Sequence, residues 1–428
     1  MDEQLINKEV VKRRREFGTK EFETKREPIT FQTIKRIGEF VDWDIISDWL
    51  SSCSEEHPKC GPRDLGVKPA HFRLIDVRRR RIVSAPYDCR YVALSYVWGL
   101  NTDRSKMSTR ATLESLRKDG GLLVSNVVKT INDAITICSH YGWINDQAEQ
   151  IASMSAIYSS AALVIISTDG DMNDGIHGVS SDRAQKQIQC ELAGMKFINE
   201  LPSWREIINC SSIWSTRCWT YQEGILGRRK IYFSSSQSFF ECDKSILDED
   251  GMKQDAMYSP NGLNPQRWHS VIDAFYGHMA KYSRRHLGSE FDIYNAVEGI
   301  DSALYASKHP LWFGLPRVDF DKALLWCHDS PSNGEFKGAV KSPPEGLIPS
   351  WSWSSTTQSV LLLDDCNRRS IRYCGPLVMW TSCQKTETGC KVEEIVPSSA
   401  VDFQCPHCES DVTGNDRDRR YTDEHCYI

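Results

Sequence analysis

The chain offers soft metal ligands in two places. Cys405-Pro406-His407-Cys408 is a C-x-x-C with a histidine inside it, and His425-Cys426 lies further on. Four such ligands are what a tetrahedral zinc site uses. The second half is an adjacent pair at the far end of the sequence, so the reading taken is a reduced, polar tail. Cys53, His57 and Cys60 form the other group. Three ligands fall short of a closed structural site, so this segment reads as a packed loop and no metal is assigned. With 16 Cys and 11 His in the chain, many Cys–His nucleophile pairs are conceivable, and that abundance singles out none. The common catalytic signatures are missing. There is no G-x-G-x-x-G, no Walker A loop, no H-E-x-x-H helix and no G-x-S-x-G elbow.

Composition narrows the class. The 428 residues leave room for about two to four structural units. With 40% hydrophobic and 26% charged residues, the chain is too apolar for a disordered one. A net charge of −6 excludes a chain-wide polyanion binder, so no nucleic-acid partner is assigned. Lys12 to Arg15 has the composition of a nuclear import patch, but reads more simply as part of a solvated charged leader. A zinc-stabilised nuclear factor built on that patch and the Cys405–Cys408 pair is the weakest of three functional readings. No apolar run of about 18 residues occurs, so no membrane is assigned. The first residues lack the apolar core of a secretory signal. A cytoplasmic location is expected, where thiols stay reduced and most cysteines serve as small core residues. The 13 Trp argue for large aromatic clusters.

The elements that would position any chemistry can be read from periodicity. Val41, Ile45, Ile46 and Trp49 have helical spacing. Residues 71–81 read as a strand ending in four arginines, and Tyr91 to Tyr96 as a second strand. Val124 to His140 is an amphipathic helix with Asn126 as its expected N-cap. Gln147 to Ser159 is a further helix. Ala161 to Ile166 is a continuous apolar run, the mark of a buried parallel strand. Lys230 to Phe233 is a strand candidate, residues 243–267 read as loop, and residues 269–281 and 291–304 as helices. Strand, helix, helix and buried strand in this order predict an α/β layer architecture.

Several short motifs in order then carry a resemblance. Tyr91 to Gly99 (YVALSYVWG), Ile131 to Cys138 (INDAITIC), Met154 to Ala161 (MSAIYSSA) and Arg217 to Glu223 (RCWTYQE) resemble the successive elements of the fungal heterokaryon-incompatibility (HET) domain. Cys53…His57…Cys60 and Arg73 to Asp76 (RLID) are similar to its usual lead-in. Residues 282–300 and Pro349 to Trp353 (PSWSW) are similar to the region C-terminal to that domain. The resemblance implies a TIR-like or flavodoxin-like parallel-sheet core with an additional mixed α+β C-terminal region. The units expected are a charged leader (1–40), a lead-in (41–90), the HET domain (91–224), an associated region (225–400) and a polar tail (401–428).

One departure stands out. The family carries a strand between its two helices, and here Trp143 jumps directly to Ile144-Asn145-Asp146-Gln147. The core is therefore expected to lack one strand, unless Trp143 and Ile144 begin a shortened substitute. Loss of that strand would leave an altered, inactive copy, and a misplaced splice junction is the third reading of the gap.

The resemblance implies a role in non-self recognition and programmed cell death, acting through protein partners or self-association. The TIR-like alternative implies cleavage of NAD as substrate, with no resident cofactor. That reaction passes through an oxocarbenium-like state that a carboxylate can stabilise. Glu223, Asp146 and Glu149 are the candidate catalytic residues. Ser95, Tyr96, Trp98 and Arg217 would line the same cleft, at the carboxyl ends of the strands. Beside these roles stand plainer ones: Trp98 and Trp219 as core anchors, Gly99 as a turn residue, and Asp146 and Glu149 as acids favoured by a helix dipole.

Overall fold

The computed structural model describes residues 37–61, 72–85, 89–99, 106, 108–109, 111–141, 144–146, 154–192, 195–208, 212–251, 253–255, 263, 270–288, 292–305, 311–328, 349, 351–355, 360–362, 380–386 and 389–395. The chain divides into Met1–Arg36 and Ile37–Ile428, and the elements described all belong to the second unit. Residues 147–153 of the helix expected over 147–159, Glu149 among them, and the Cys405–Cys426 group lie outside the described residues.

Helix α1 (Trp43–Glu56) opens this unit, and Asp42 caps it by accepting from the backbone N–H groups of Asp44 and Ile45. The run read as one strand over residues 71–81 is the first half of a hairpin, β1 (Arg73–Asp76) and β2 (Arg81–Ser84). Its arginines do not end a strand: Arg78 to Arg80 lie in the turn, where Arg80 takes a positive φ, and Arg81 opens β2. Strand β3 (Tyr91–Ser95), helix α2 (Lys129–His140), strand β4 (Ile144–Asp146), helix α3 (Met154–Ser160) and strand β5 (Leu163–Ser167) come next. The α2 start differs from the expected one. Asn126 sits in a 3-10 turn and donates to the Gly121 carbonyl, while the residue preceding α2 is Val128, which has no capping side chain.

A side hairpin, β6 (Gln189–Leu192) and β7 (Met195–Ile198), precedes helix α4 (Cys218–Leu226). The chain then returns to the sheet as β8 (Lys230–Phe233), β9 (Ser238–Glu241), β10 (Ser245–Asp248) and β11 (Lys253–Asp255). The last two fall where residues 243–267 read as loop. Both are only three or four residues long, and β11 is wholly polar, which gives periodicity little to register.

One nine-stranded sheet results, in the order β11-β10-β9-β8-β5-β3-β4-β1-β2. Its centre, β8-β5-β3-β4, is parallel, and both flanks are antiparallel. The expectation of a lost strand is corrected here. β4 pairs parallel to β3 (Val92 opposite Asn145) and antiparallel to β1 (Ile75 opposite Asn145). The shortened substitute keeps the sheet continuous, pairing with Tyr91 to Ala93 of β3 and with Ile75 of β1.

Both faces of the centre are covered, as a parallel sheet requires. Val92, Leu94, Leu163, Ile165, Ile231 and Phe233 pack with α1 and α2. Tyr91, Ala93, Val164, Ile166 and Tyr232 point the other way, onto Ile157, Trp204, Trp214 and Leu226. A third core forms beyond α4, from helices α5 (Val271–Tyr282) and α6 (Asn295–Tyr305) with Phe320 and Trp353. Helix α4 is the shared wall, giving Leu226 to the sheet core and Cys218, Tyr221 and Ile225 to the helical one. Farther along, β12 (Trp326–His328) pairs with β13 (Val360–Leu362), and β14 (Trp380–Thr386) with β15 (Gly389–Ile395). Mixed α/β architecture with a mixed sheet is thus the observed class.

The end of α4 is fixed to the sheet by buried charge. Lys230 Nζ donates to the Gly224 carbonyl at 3.0 Å and lies 3.0 Å from Glu241 Oε1. Tyr232 Oη donates to the other Glu241 oxygen at 2.6 Å. Removing one member of such a buried set leaves the others desolvated and unpaired. Glu241→Ala is therefore expected to lower unfolding free energy by about 3–5 kcal/mol, read by urea denaturation. A loss below about 1 kcal/mol, the worth of an exposed pair, would show that the set is not formed.

Candidate functional site

Glu223 lies in the second turn of α4 and is 7% exposed. Ser95, the last residue of β3, donates its hydroxyl to Glu223 Oε2. Trp214 in turn donates its indole N–H to Ser95 Oγ at 2.6 Å. The result is a directed and largely buried relay from indole to hydroxyl to carboxylate. Trp214 is held from three sides. Its ring stands edge-on to Tyr232, its carbonyl accepts from Thr220 Oγ1, and it lies against Gly224. A Cβ at Gly224 would sit 2.5 Å from Trp214 Cη2, which is why the motif continues in glycine.

Burial pushes the Glu223 carboxyl up to about 7, opposed by hydrogen bonds from Ser95 and Tyr158 and by the charge of Arg285. Arg285 is itself buried. Its guanidinium stacks 4.5 Å from the Tyr221 ring centroid and 5.6 Å from that of Trp214, and donates to the Arg217 carbonyl and Thr220 Oγ1 at 3.2 Å. Burial lowers its pKa to about 10. A carboxyl that titrates near neutrality beside a fixed cation has the properties of a general acid or base.

The remaining candidates divide. Tyr96 is buried, whereas Trp98 is 47% exposed, so Trp98 is not the core anchor that its type suggested. Gly99 has φ +81°, and a Cβ there would collide with the Asp171 side chain, as its reading as a turn residue expected. Arg217 does not face Glu223. Its backbone pairs with His286 ahead of α4, and its guanidinium runs toward Gly288. The cation that Glu223 meets is Arg285, from the region after the motif, which no local pattern ties to Glu223. Asp146 ends β4 in register with Ala93, one strand over from Ser95 and on the same carboxyl edge.

Near this edge the β5–β6 connection is ordered by another buried acid. Asp133 on α2 accepts from the Ile176 N–H and Ser180 Oγ, both at 2.7 Å, and burial raises its pKa. On the sheet face covered by α1 and α2, away from Glu223, Cys53, His57 and Cys60 meet Cys242, so the segment read as a packed loop has a fourth soft ligand.

Among families of known proteins, the one described as heterokaryon incompatibility protein (HET) matches residues 91–223. The match opens on the first residue of β3 and closes on Glu223. No curated protein and no solved structure gives a match.

Glu223 also sets a pH dependence. Its folded-state pKa of about 7 lies above the ordinary 4.5, so folding favours the protonated form. The contribution is fully present below the ordinary value and is lost as pH rises toward 7. At about 1.4 kcal/mol per unit, the change is on the order of 3 kcal/mol. Glu223→Gln stays neutral throughout. Relative to wild type, its unfolding free energy is expected to rise between about pH 4.5 and 7.5. Parallel urea-unfolding profiles for the two proteins across that range would show that the carboxyl is solvated.

Proposed function

We propose that this chain, which carries a HET domain over residues 91–223, is a heterokaryon-incompatibility effector of fungal non-self recognition. It triggers growth arrest or cell death in the cytoplasm through protein partners or self-association. The observation that supports this most is the coincidence of the matched segment with the doubly covered centre of the sheet and its closing helix, from β3 to Glu223. The parallel strands run β4-β3-β5-β8, the 2-1-3-4 order of flavodoxin-like sheets, which is the arrangement a TIR-like core has. β4 fills the position whose loss would have argued for an inactive copy.

A second reading is an NAD-cleaving hydrolase, and one observation favours it. Glu223, with a pKa of about 7, sits by Ser95 at the carboxyl end of β3, where open α/β sheets bind ligands. A carboxylate there suits an oxocarbenium-like transition state. Ser95, engaged on both sides, would orient the carboxylate and is not free to act as a nucleophile.

Expression of the full chain in a fungal host, with growth and total NAD measured together, separates the two. Under the signalling reading, wild type and Glu223→Gln both arrest growth while NAD is unchanged. A fall in NAD that the Gln variant abolishes, matched by nicotinamide release from the purified protein, transfers the conclusion to the hydrolase. Absence of arrest by abundant wild-type chain overturns both.

A further inference from the structure

From Cys53, His57, Cys60 and Cys242 we infer a structural zinc site that closes the fold outside the matched domain. Three sulfurs and one imidazole nitrogen lie within 4.8 Å of one another. With Zn–S about 2.3 Å and Zn–N about 2.0–2.1 Å, the edges of a tetrahedral Cys3His site measure about 3.6–3.8 Å. His57 Nδ1 stands 3.6 Å from Cys242 Sγ, already such an edge.

Local structure presents the first three ligands together. Cys53 lies in the last turn of α1, and the N–H of His57, four residues on, donates to its carbonyl at 3.0 Å. A 3-10 turn begun by Pro58 brings Cys60 round, its N–H bonded to the His57 carbonyl at 2.9 Å. Cys242 comes from the tight β9–β10 turn, 185 residues beyond His57. The backbone N–H groups of Lys244 and Ser245 both point at its sulfur at 3.4 Å, and Ser245 Oγ lies 3.5 Å from it. Donors aimed at sulfur suit a ligating thiolate and have no purpose around a cysteine that merely fills space.

The surroundings complete the case. All three cysteines are 2% exposed, and His57 is half-buried. That is the enclosure of a structural site, with four protein ligands and no open position. The Glu56 carboxylate faces His57 Nε2 at 3.9 Å. A carboxylate on that side favours the tautomer with its proton on Nε2, leaving the Nδ1 lone pair for the metal. Binding releases the thiol protons and oxidises nothing. A disulfide would leave one thiol and the imidazole without partners. The site would join α1, ahead of the matched residues, to the β9–β10 turn behind them. Arg228 spans the same junction, pairing with Asp243 and donating to the Gly61 carbonyl at 3.1 Å.

The test is metal analysis of the full-length chain, purified under reducing conditions without chelator. About one zinc per chain is expected, falling below about 0.2 in Cys242→Ser and retained in the double variant Cys405→Ser/Cys408→Ser. If Cys242→Ser fails to accumulate, His57→Cys serves instead. It should keep about one metal, with a Co(II) spectrum shifted from a three-thiolate to a four-thiolate pattern. Wild-type protein that holds no zinc and takes up no Co(II) overturns the inference. So does zinc that survives Cys242→Ser, or a disulfide among Cys53, Cys60 and Cys242 found by alkylation and mass spectrometry.

Discussion

Helix α4 has almost no solvent face, Trp219 alone being half-buried, and the rest of the molecule is arranged around that constraint. Every residue from Thr220 to Leu226 is buried, including three with strongly polar side chains. Each buried polar group without a partner costs about 1–3 kcal/mol, so neighbours from several elements must meet them. Ser95 of β3 meets Glu223, His278 of α5 meets Tyr221 at 2.9 Å, and the Asn295 carbonyl accepts from Gln222. Lys230 of β8 takes the Gly224 carbonyl. Sheet and helical core are therefore joined through polar groups of one helix as well as through apolar packing. The α4–α6 contact is also close: a Cβ at Gly299 would come within 3.0 Å of Ser155, Gln222 and Leu226 atoms.

This arrangement bears on how a motif such as R-C-W-T-Y-Q-E should be read. A buried acid in a recurring motif invites a catalytic role, yet Glu223 has structural work regardless of catalysis. Its partner Ser95 is itself held by Trp214, and Trp214 is clamped by Thr220, Gly224 and Tyr232. Such a relay fixes where β3 ends relative to α4. The same desolvation that suits Glu223 to proton transfer makes it costly to charge, so structural and chemical roles are coupled at this residue. A carboxyl kept near neutrality at the carboxyl edge of a sheet is nonetheless an unusual arrangement to maintain for packing alone, since a glutamine would fill the space without the desolvation cost.

Much of the fold was legible because its central elements carry strong local signals. The Ala161–Ile166 run has apolar side chains on both faces, and β5 is buried on both. Helices α1 and α2 show their stripes in sequence. Ser95, at the carboxyl end of its strand, and Glu223, which closes the resembled motif, are expected in one cleft, and the two are hydrogen-bonded. What escaped was non-local or short. Strands β10 and β11 are brief, and β11 is wholly polar. β4 was legible only as an apparent deletion, because three residues suffice to bridge β3 and β1. Arg285, in place of Arg217, faces Glu223 because the chain doubles back at the Arg217–His286 bridge. Cys242 carried no signal of its own, since its partners lie at the other end of the domain.

These long-range contacts set the extent of the working unit. The matched residues 91–223 contain β3, β4 and β5, but neither β1 nor β8, the strands that flank them. Cut at those bounds, the sheet would expose ladder edges on both sides of its parallel centre, a state open to mispairing. Glu223 would lose Arg285, and α4 would lose the Lys230–Glu241 anchor. The segment that carries the family likeness thus depends on chain before and after it for its edges, its charge balance and one wall of its closing helix. Those flanking segments meet where α1 approaches the β9–β10 turn, so a restraint at that junction would hold the domain's supports in place without touching the site itself.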